Sequence, residues 1–113
     1  MYVYFIRAKG PSKLIKIGRS KNPEYRMSEL QVGSPSKLIL MGTVRCRNEL
    51  HSKQIEKMAH FLFRKQRRRG EWFNLTNSQF DQVRSLIEKC QERQRQDTPD
   101  EYEAFLNAMA KDD

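Results

Sequence analysis

The chain has 113 residues and carries 22 Lys and Arg residues against 14 Asp and Glu residues, which gives a formal net charge of +8. Hydrophobic residues make up 37% of the sequence, enough for one small domain with a modest core. No apolar stretch is long enough for a membrane span or a signal-peptide core, and two cysteines give no disulfide framework. These properties exclude membrane and disulfide-rich secreted classes, so we expect a cytoplasmic protein in a reducing compartment.

The positive charge is concentrated in the first part of the chain. Residues 1–76 contain 17 Lys and Arg residues and 5 Asp and Glu residues, whereas residues 77–113 contain 5 and 9. A basic surface binds a polyanion through counterion release and steers the encounter. The charge therefore agrees with a nucleic-acid partner for residues 1–76, which we predict to be one domain, with a helical extension over residues 77–113. A solvated basic surface that serves solubility is the alternative interpretation.

Two apolar-alternating segments, residues 2–6 and 15–20, predict a β-hairpin with its turn at Lys9-Gly10-Pro11-Ser12. The apolar members of the two strands should share the buried face: Val3, Phe5, Ile15 and Ile17.

This register places Tyr4, Lys16 and Gly18 together on the opposite face, because a slip by one residue would turn the apolar set into solvent. Tyr4 and Lys16 would then be cross-strand neighbours. An ammonium beside a phenol favours the phenolate, so we expect the pKa of Tyr4 to fall below its usual value of about 10. A half-exposed surface pair without a chemical role is the alternative.

Further along the chain, the pattern predicts a helix from Pro23 to about Leu30, a third strand at residues 38–44 and a helix from Glu49 to about Lys65. A short extended segment follows, at residues 72–75. The predicted fold class is α+β, with a small three-stranded antiparallel sheet flanked by helices and two additional C-terminal helices.

The two C-terminal helices are amphipathic. The second begins with a capping box at residues 98–101 and carries a stripe of four apolar side chains: Tyr102, Phe105, Leu106 and Met109. We expect this stripe to pack against the domain or to form a homodimer seam. Binding of another protein partner is the alternative, as is an acidic segment that folds over the basic surface.

Four short motifs follow one another within residues 1–75. They are Val3-Tyr4, then Lys16-Ile17-Gly18 with Arg26, then a helix bearing Glu56, His60 and Phe61, then Gly70-Glu71-Trp72-Phe73. In this order they resemble the GIY-YIG nuclease superfamily. The similarity is greatest to its small stand-alone phage and bacterial branch, in which lysine takes the place of the second-motif tyrosine.

The resemblance implies that residues 1–76 form a GIY-YIG-like nuclease domain, and that the protein is a metal-dependent DNA endonuclease or nickase that hydrolyses phosphodiester bonds. It implies that Tyr4 helps to generate the attacking water and that Arg26 stabilises the charge of the transition state. It also implies that Glu56 holds one divalent cation, Mg²⁺ or Mn²⁺, and that Lys16 occupies the position of the second tyrosine. A catalytically inactive nucleic-acid-binding or regulatory module is the alternative function.

His60 is the fourth expected catalytic residue. Leu30 occupies a position at which many GIY-YIG nucleases have histidine or tyrosine, and His60 could reach the same space from its helix; a packed, hydrogen-bonded histidine is the alternative. Arg26 and Glu56 could each pair with an oppositely charged residue of their own helix. For Trp72 we favour a core position over a base-stacking platform, because it lies in an apolar run.

The densest positive charge lies just before the last motif. Together with Arg19, the cationic side chains of residues 64–69 are expected to contact DNA phosphates: Arg64, Lys65, Arg67, Arg68 and Arg69. Such contacts position a DNA backbone and do not specify its sequence.

Overall fold

The computed structural model describes residues 1–11 and 13–110, so Ser12 of the expected turn lies outside the described residues. The elements in chain order are β1 (Tyr2–Ala8), β2 (Leu14–Ser20), α1 (Pro23–Val32), β3 (Leu38–Arg45), α2 (Glu49–Leu62), a short 3₁₀ turn (Arg64–Gln66), β4 (Arg67–Arg69), β5 (Trp72–Asn74), α3 (Asn77–Gln96) and α4 (Pro99–Met109). Within the described ranges, no helix has the length and apolar character needed to cross a membrane.

The strands form one antiparallel sheet in the order β3-β1-β2-β5-β4. The expectation of three strands is therefore wrong, although the fold class is still α+β. The two additional strands have three residues each, and β4 consists of three exposed arginines with no apolar alternation. Periodicity cannot detect such strands, because they form through pairing with β2 and with each other.

The register of the hairpin agrees with the sequence pattern. Tyr4 lies opposite Gly18 and Ile6 lies opposite Lys16, so Tyr4 and Lys16 are diagonal neighbours on one face of the sheet. The other face carries four fully buried apolar residues: Val3, Phe5, Ile15 and Ile17.

Both faces of the sheet are covered. The main core lies between the sheet and α2, α3 and α4. On the opposite face, a second cluster contains Tyr4, Ile6, Ala8 and Leu38, with partly buried residues of α1 and Trp72 packed against it. Tyr4 is only 2% exposed, so the interpretation of Tyr4 as part of a half-exposed surface pair is wrong.

Local capping explains where the helices begin. The Asn22 side chain accepts a hydrogen bond from the Tyr25 amide at 3.1 Å, and Pro23 occupies the first turn of α1. At α4, the predicted capping box forms between Thr98 and Glu101.

The apolar stripe of α4 is used within the chain. Tyr102, Phe105 and Leu106 are 0%, 9% and 1% exposed, and they belong to the main core beside α2 and α3. The expected homodimer seam or protein-partner surface on this face is not supported, because these side chains are buried inside the chain. The division of the chain at residue 76 stays a prediction, and both C-terminal helices contribute to the core that the sheet covers.

Candidate active site

The candidate site is centred on Gly18, where the Tyr4 hydroxyl and the Glu71 carboxylate meet. A Cβ atom added to Gly18 would lie 2.5 Å from the Tyr4 hydroxyl oxygen and 2.7 Å from Oε2 of Glu71. Gly18 does not have a positive φ. The site therefore requires glycine at this position because the Tyr4 hydroxyl and the Glu71 carboxylate occupy the space that a side chain would fill, and not because of an unusual backbone conformation.

We expect Gly18→Ala to displace the Tyr4 hydroxyl, because the buried tyrosine ring cannot move aside as an exposed side chain would. A misplacement of about 1 Å in a catalytic site can cost about 10²-fold in rate, so we expect a loss of that order in single-turnover DNA cleavage. Gly42→Ala is the matched control, because Gly42 is also a strand glycine whose added Cβ would be crowded, 2.9 Å from Cδ1 of Ile87, but it lies in β3 away from the site. Equal rates for the two variants would contradict the proposed role of this space.

Lys16 and Glu71 form an ion pair at the candidate site. The Lys16 ammonium lies 3.2 Å from Oε2 of Glu71, and the Ile17 amide donates a 3.1 Å hydrogen bond to the Glu71 carbonyl. Glu71 is thus held beside β2 through both its backbone and its side chain. Glu71 belongs to the last sequence motif, but no local pattern indicates a role for it, because its position depends on the pairing of β2 with β5.

Arg26 lies in the first half of α1 and reaches the same place. Its guanidinium lies close enough to the Tyr4 hydroxyl to lower the pKa of that phenol, and its Nη1 atom lies 3.5 Å from Oε1 of Glu29. Arg26 therefore lies at the candidate site and also pairs with a neighbour on its own helix, two placements that the sequence left as alternatives.

Glu56 and His60 enter from α2, one helical turn apart. Oε2 of Glu56 lies 3.8 Å from Nε of Arg19. His60 Nε2–H donates a 2.9 Å hydrogen bond to the Ile17 carbonyl, and its ring lies against Phe73 at 5.0 Å between centroids. The structure thus gives His60 the packed, hydrogen-bonded environment, and this environment fixes α2 to the strand directly before Gly18.

Burial is the largest cause of the raised pKa values of Tyr4 and Glu56. Burial is the main cause that raises the pKa of Tyr4, the charge of Glu71 raises it further, and the neighbouring Arg26 guanidinium opposes both. The expected fall in the pKa of Tyr4 is therefore wrong, because the second cluster encloses its ring. The pKa of Glu56 is also raised, first by burial and then by the like charge of Glu71. A bound cation would relieve this repulsion between the two carboxylates.

The residues present fit an open Mg²⁺ or Mn²⁺ site. Within residues 1–11 and 13–110, no group of three or more His, Cys, Asp or Glu side chains forms a metal cage. A hard cation such as Mg²⁺ does not need one, because it binds through one or two carboxylates and keeps several waters. Glu56, with Glu71 within electrostatic reach, provides such an oxygen donor set.

The expected DNA-contacting residues fall into two places. Arg19 turns towards α2, where it lies 3.3 Å from the Ser52 hydroxyl and 4.0 Å from the Glu49 carboxylate. In the cluster at residues 64–69, the first three residues form the 3₁₀ turn and the last three form the exposed edge strand β4, which pairs with β5. Arg67 donates a hydrogen bond to the Gly70 carbonyl at 2.6 Å and shapes the turn that presents Glu71.

Comparison with known proteins identifies a family. The model of the T5orf172 domain matches residues 1–88, which is more than half of the chain. No curated protein and no solved structure matches the chain. The match corrects the resemblance to the GIY-YIG nuclease superfamily, because the family it shows is the T5orf172 domain. This domain is nuclease-like and DNA-binding, which is compatible with a DNA endonuclease at a coarse level.

Proposed function

Because the chain belongs to the T5orf172 domain family, we propose that it is a metal-dependent DNA endonuclease or nickase that acts at the site around Gly18. One observation carries the proposal: Tyr4, a residue only 2% exposed, has its hydroxyl within electrostatic reach of Arg26, Glu71 and Glu56. Clusters of mutually perturbed ionisable groups are typical of catalytic sites. The basic surface of residues 64–69, at the same end of the sheet, supports a DNA substrate.

In the proposed reaction, a water oxygen attacks the phosphorus atom of a DNA phosphodiester. The bond from phosphorus to the leaving sugar oxygen breaks, the proton of the water passes to the Tyr4 phenolate, and the leaving oxygen takes a proton from solvent. The Arg26 guanidinium is placed to stabilise the phenolate and the charge that develops on the phosphate. Lys16 adds a second positive charge on the same face of the sheet.

Glu56, with Glu71 nearby, would hold one Mg²⁺ or Mn²⁺ ion. When bound, such a cation polarises a phosphate oxygen and compensates negative charge. We propose that His60 acts as a positioning residue, because its Nε2 atom is already engaged by the Ile17 carbonyl.

Incubation of the protein with supercoiled plasmid tests this function. We expect conversion to the nicked or linear form in Mg²⁺ and none in EDTA. The second candidate function is an inactive nucleic-acid-binding module. It is favoured by the exposed arginines of β4, which could bind DNA phosphates even if the residues around Gly18 cleaved nothing. Plasmid that is retarded on a gel but stays uncut with Mg²⁺ and with Mn²⁺ would support that second function and contradict the first.

Arg26→Ala should reduce cleavage by about 10²–10³-fold, as the loss of a positioned charge-stabilising donor does. DNA affinity should fall much less. Single-turnover rates and dissociation constants for one labelled duplex separate the two effects. Arg84→Ala is the matched control, because Arg84 is also an exposed helix arginine with an acidic partner three residues away, Asp81. Equal losses of rate and affinity in Arg26→Ala would make Arg26 a simple phosphate contact.

The basic edge strand should bind DNA without regard to sequence. We expect Arg68→Gln with Arg69→Gln to weaken binding of all duplexes similarly, and to reduce the slope of log K against log salt by about 0.9 for each phosphate that is no longer neutralised. Fluorescence anisotropy in EDTA measures binding without cleavage. Arg84→Gln with Arg95→Gln removes the same charge from α3 and should leave the slope almost unchanged. An equal change in both double variants would mean that net charge, and not this strand, controls affinity.

A further inference from the structure

A groove of about 760 Å³ borders the candidate active site. It lies between the loop that follows α1 and the β4–β5 end of the sheet. Its apolar lining comes from Ala8, Leu14 and Leu30, and its polar rim includes Arg68 and Arg69. Its volume falls within the range of about 300–1,000 Å³ that is typical of small-ligand sites.

Trp72 joins this groove to the active site. Its ring lines the groove and is only partly buried, so it does not serve solely as a core residue. On β5, Trp72 lies opposite Lys16, and the Lys16 ammonium lies 5.6 Å from the centroid of the ring. Glu29, which pairs with Arg26, also lines the groove. A nucleotide in the groove would therefore be a close neighbour of a phosphate bound at Arg26 and Lys16.

The charge of the groove suits a nucleic acid. Within residues 1–11 and 13–110, neither Arg68 nor Arg69 forms an ion pair, and both side chains are exposed. A cationic rim that follows a backbone, combined with an aromatic ring on which a base can stack, is the usual arrangement for binding single strands. The bases of an intact duplex are stacked on each other, and a base must leave that stack to enter a concave site.

We propose that this groove binds the nucleobase of an unpaired nucleotide in the DNA strand held at the active site. The base stacks on Trp72, and the adjacent phosphates lie on Arg68 and Arg69. The preferred substrate is then DNA with an unpaired nucleotide beside the bond to be cut. The inference rests on the proposed function and extends it to the class of substrate.

Trp72 is the single tryptophan of the chain, so its fluorescence reports on the groove alone. We expect a short single-stranded oligothymidylate, added in EDTA, to quench this fluorescence in a saturable way. An abasic oligonucleotide with the same number of phosphates should bind with little quenching, because it has no base to stack. Equal quenching by the two, or binding of oligothymidylate without quenching, would overturn the proposal.

Substitutions give a second readout. Trp72→Leu should weaken binding of the oligothymidylate by about 5- to 100-fold, as the loss of one base–aromatic stack does, whereas Trp72→Phe should weaken it less. Tyr25→Leu is the control, because Tyr25 is an exposed aromatic residue outside the groove. Unchanged affinity in a folded Trp72→Leu protein would overturn the proposal. If that variant fails to fold, the quenching comparison in the unaltered protein decides alone.

These measurements separate the inference from the proposed function. They are made in EDTA and need no cleavage. Base-dependent quenching in a protein that never cuts DNA would support the groove and contradict the nuclease. Cleavage of plasmid by a protein whose Trp72 fluorescence does not respond to bases would support the nuclease and overturn the groove.

Discussion

Glu56→Gln is expected to abolish Mg²⁺-dependent DNA cleavage while the fold survives. The substitution keeps the shape of the side chain but removes the negative charge that a hard cation requires. Because burial and Glu71 raise the pKa of Glu56, its charge is unfavourable in the folded protein without metal, and loss of that charge should not lower stability. Single-turnover cleavage of a labelled duplex in Mg²⁺ measures the effect.

Metal binding offers a readout that does not depend on activity. Mg²⁺ should raise the unfolding temperature of the unaltered protein, because a ligand that binds only the folded state stabilises it, and Glu56→Gln should remove this increase. Glu49→Gln is the control, because Glu49 lies on the same helix, also borders Arg19 and is more exposed. Glu56→Gln protein that cleaves at the normal rate in Mg²⁺ would sink the assignment of Glu56 as the metal ligand.

Tyr4→Phe is expected to slow cleavage by about 10²–10⁴-fold, the usual contribution of a positioned general base or acid. The substitution removes one oxygen atom and leaves the buried ring in place, so the cost in stability should be at most about 1.5 kcal/mol, the upper value for one neutral hydrogen bond. Chemical denaturation measures that cost, and plasmid nicking under single-turnover conditions measures the rate. A Tyr4→Phe protein that nicks at the unaltered rate would exclude Tyr4 from the reaction.

The raised pKa of Tyr4 has a consequence for the dependence of rate on pH. At neutral pH almost all of the phenol is protonated, because its pKa lies above the ordinary value, and the phenolate fraction increases about tenfold for each pH unit below that pKa. If the phenolate accepts the proton, the cleavage rate should rise steadily from neutral to mildly alkaline pH. The same rise in Tyr4→Phe would show that another group controls it.

The hairpin at the centre of the site was predictable from the sequence. Alternation in β1 and β2 has period two, so the buried positions of Val3 and Ile17 determine that Tyr4, Lys16 and Gly18 share the other face. The cap residue Asn22 likewise placed the start of α1 and, with it, the approximate position of Arg26.

Other parts of the site depend on contacts that no local pattern contains. Glu71 reaches Gly18 only because β5, a strand of three residues, pairs with β2. Tyr4 alternates with apolar residues and would be half-exposed on a sheet covered on one face, but α1 and Trp72 cover its face as well. That second cover reverses the expected direction of its pKa shift. The apolar stripe of α4 shows the same dependence on distant contacts. Its sequence pattern is equally compatible with burial inside the chain and with a dimer, and only the packing of α4 against the rest of the chain decides between them.

The central claim is that the residues around Gly18 act as one catalytic unit, and a double-mutant cycle on plasmid nicking tests it most directly. Rates in Mg²⁺ are compared for the unaltered protein, Tyr4→Phe, Arg26→Ala and the double variant. Because the Arg26 guanidinium interacts with the Tyr4 hydroxyl, we expect the double variant to lose little more than the more impaired single variant. Losses that multiply fully, or single variants that nick as fast as the unaltered protein, would contradict the account.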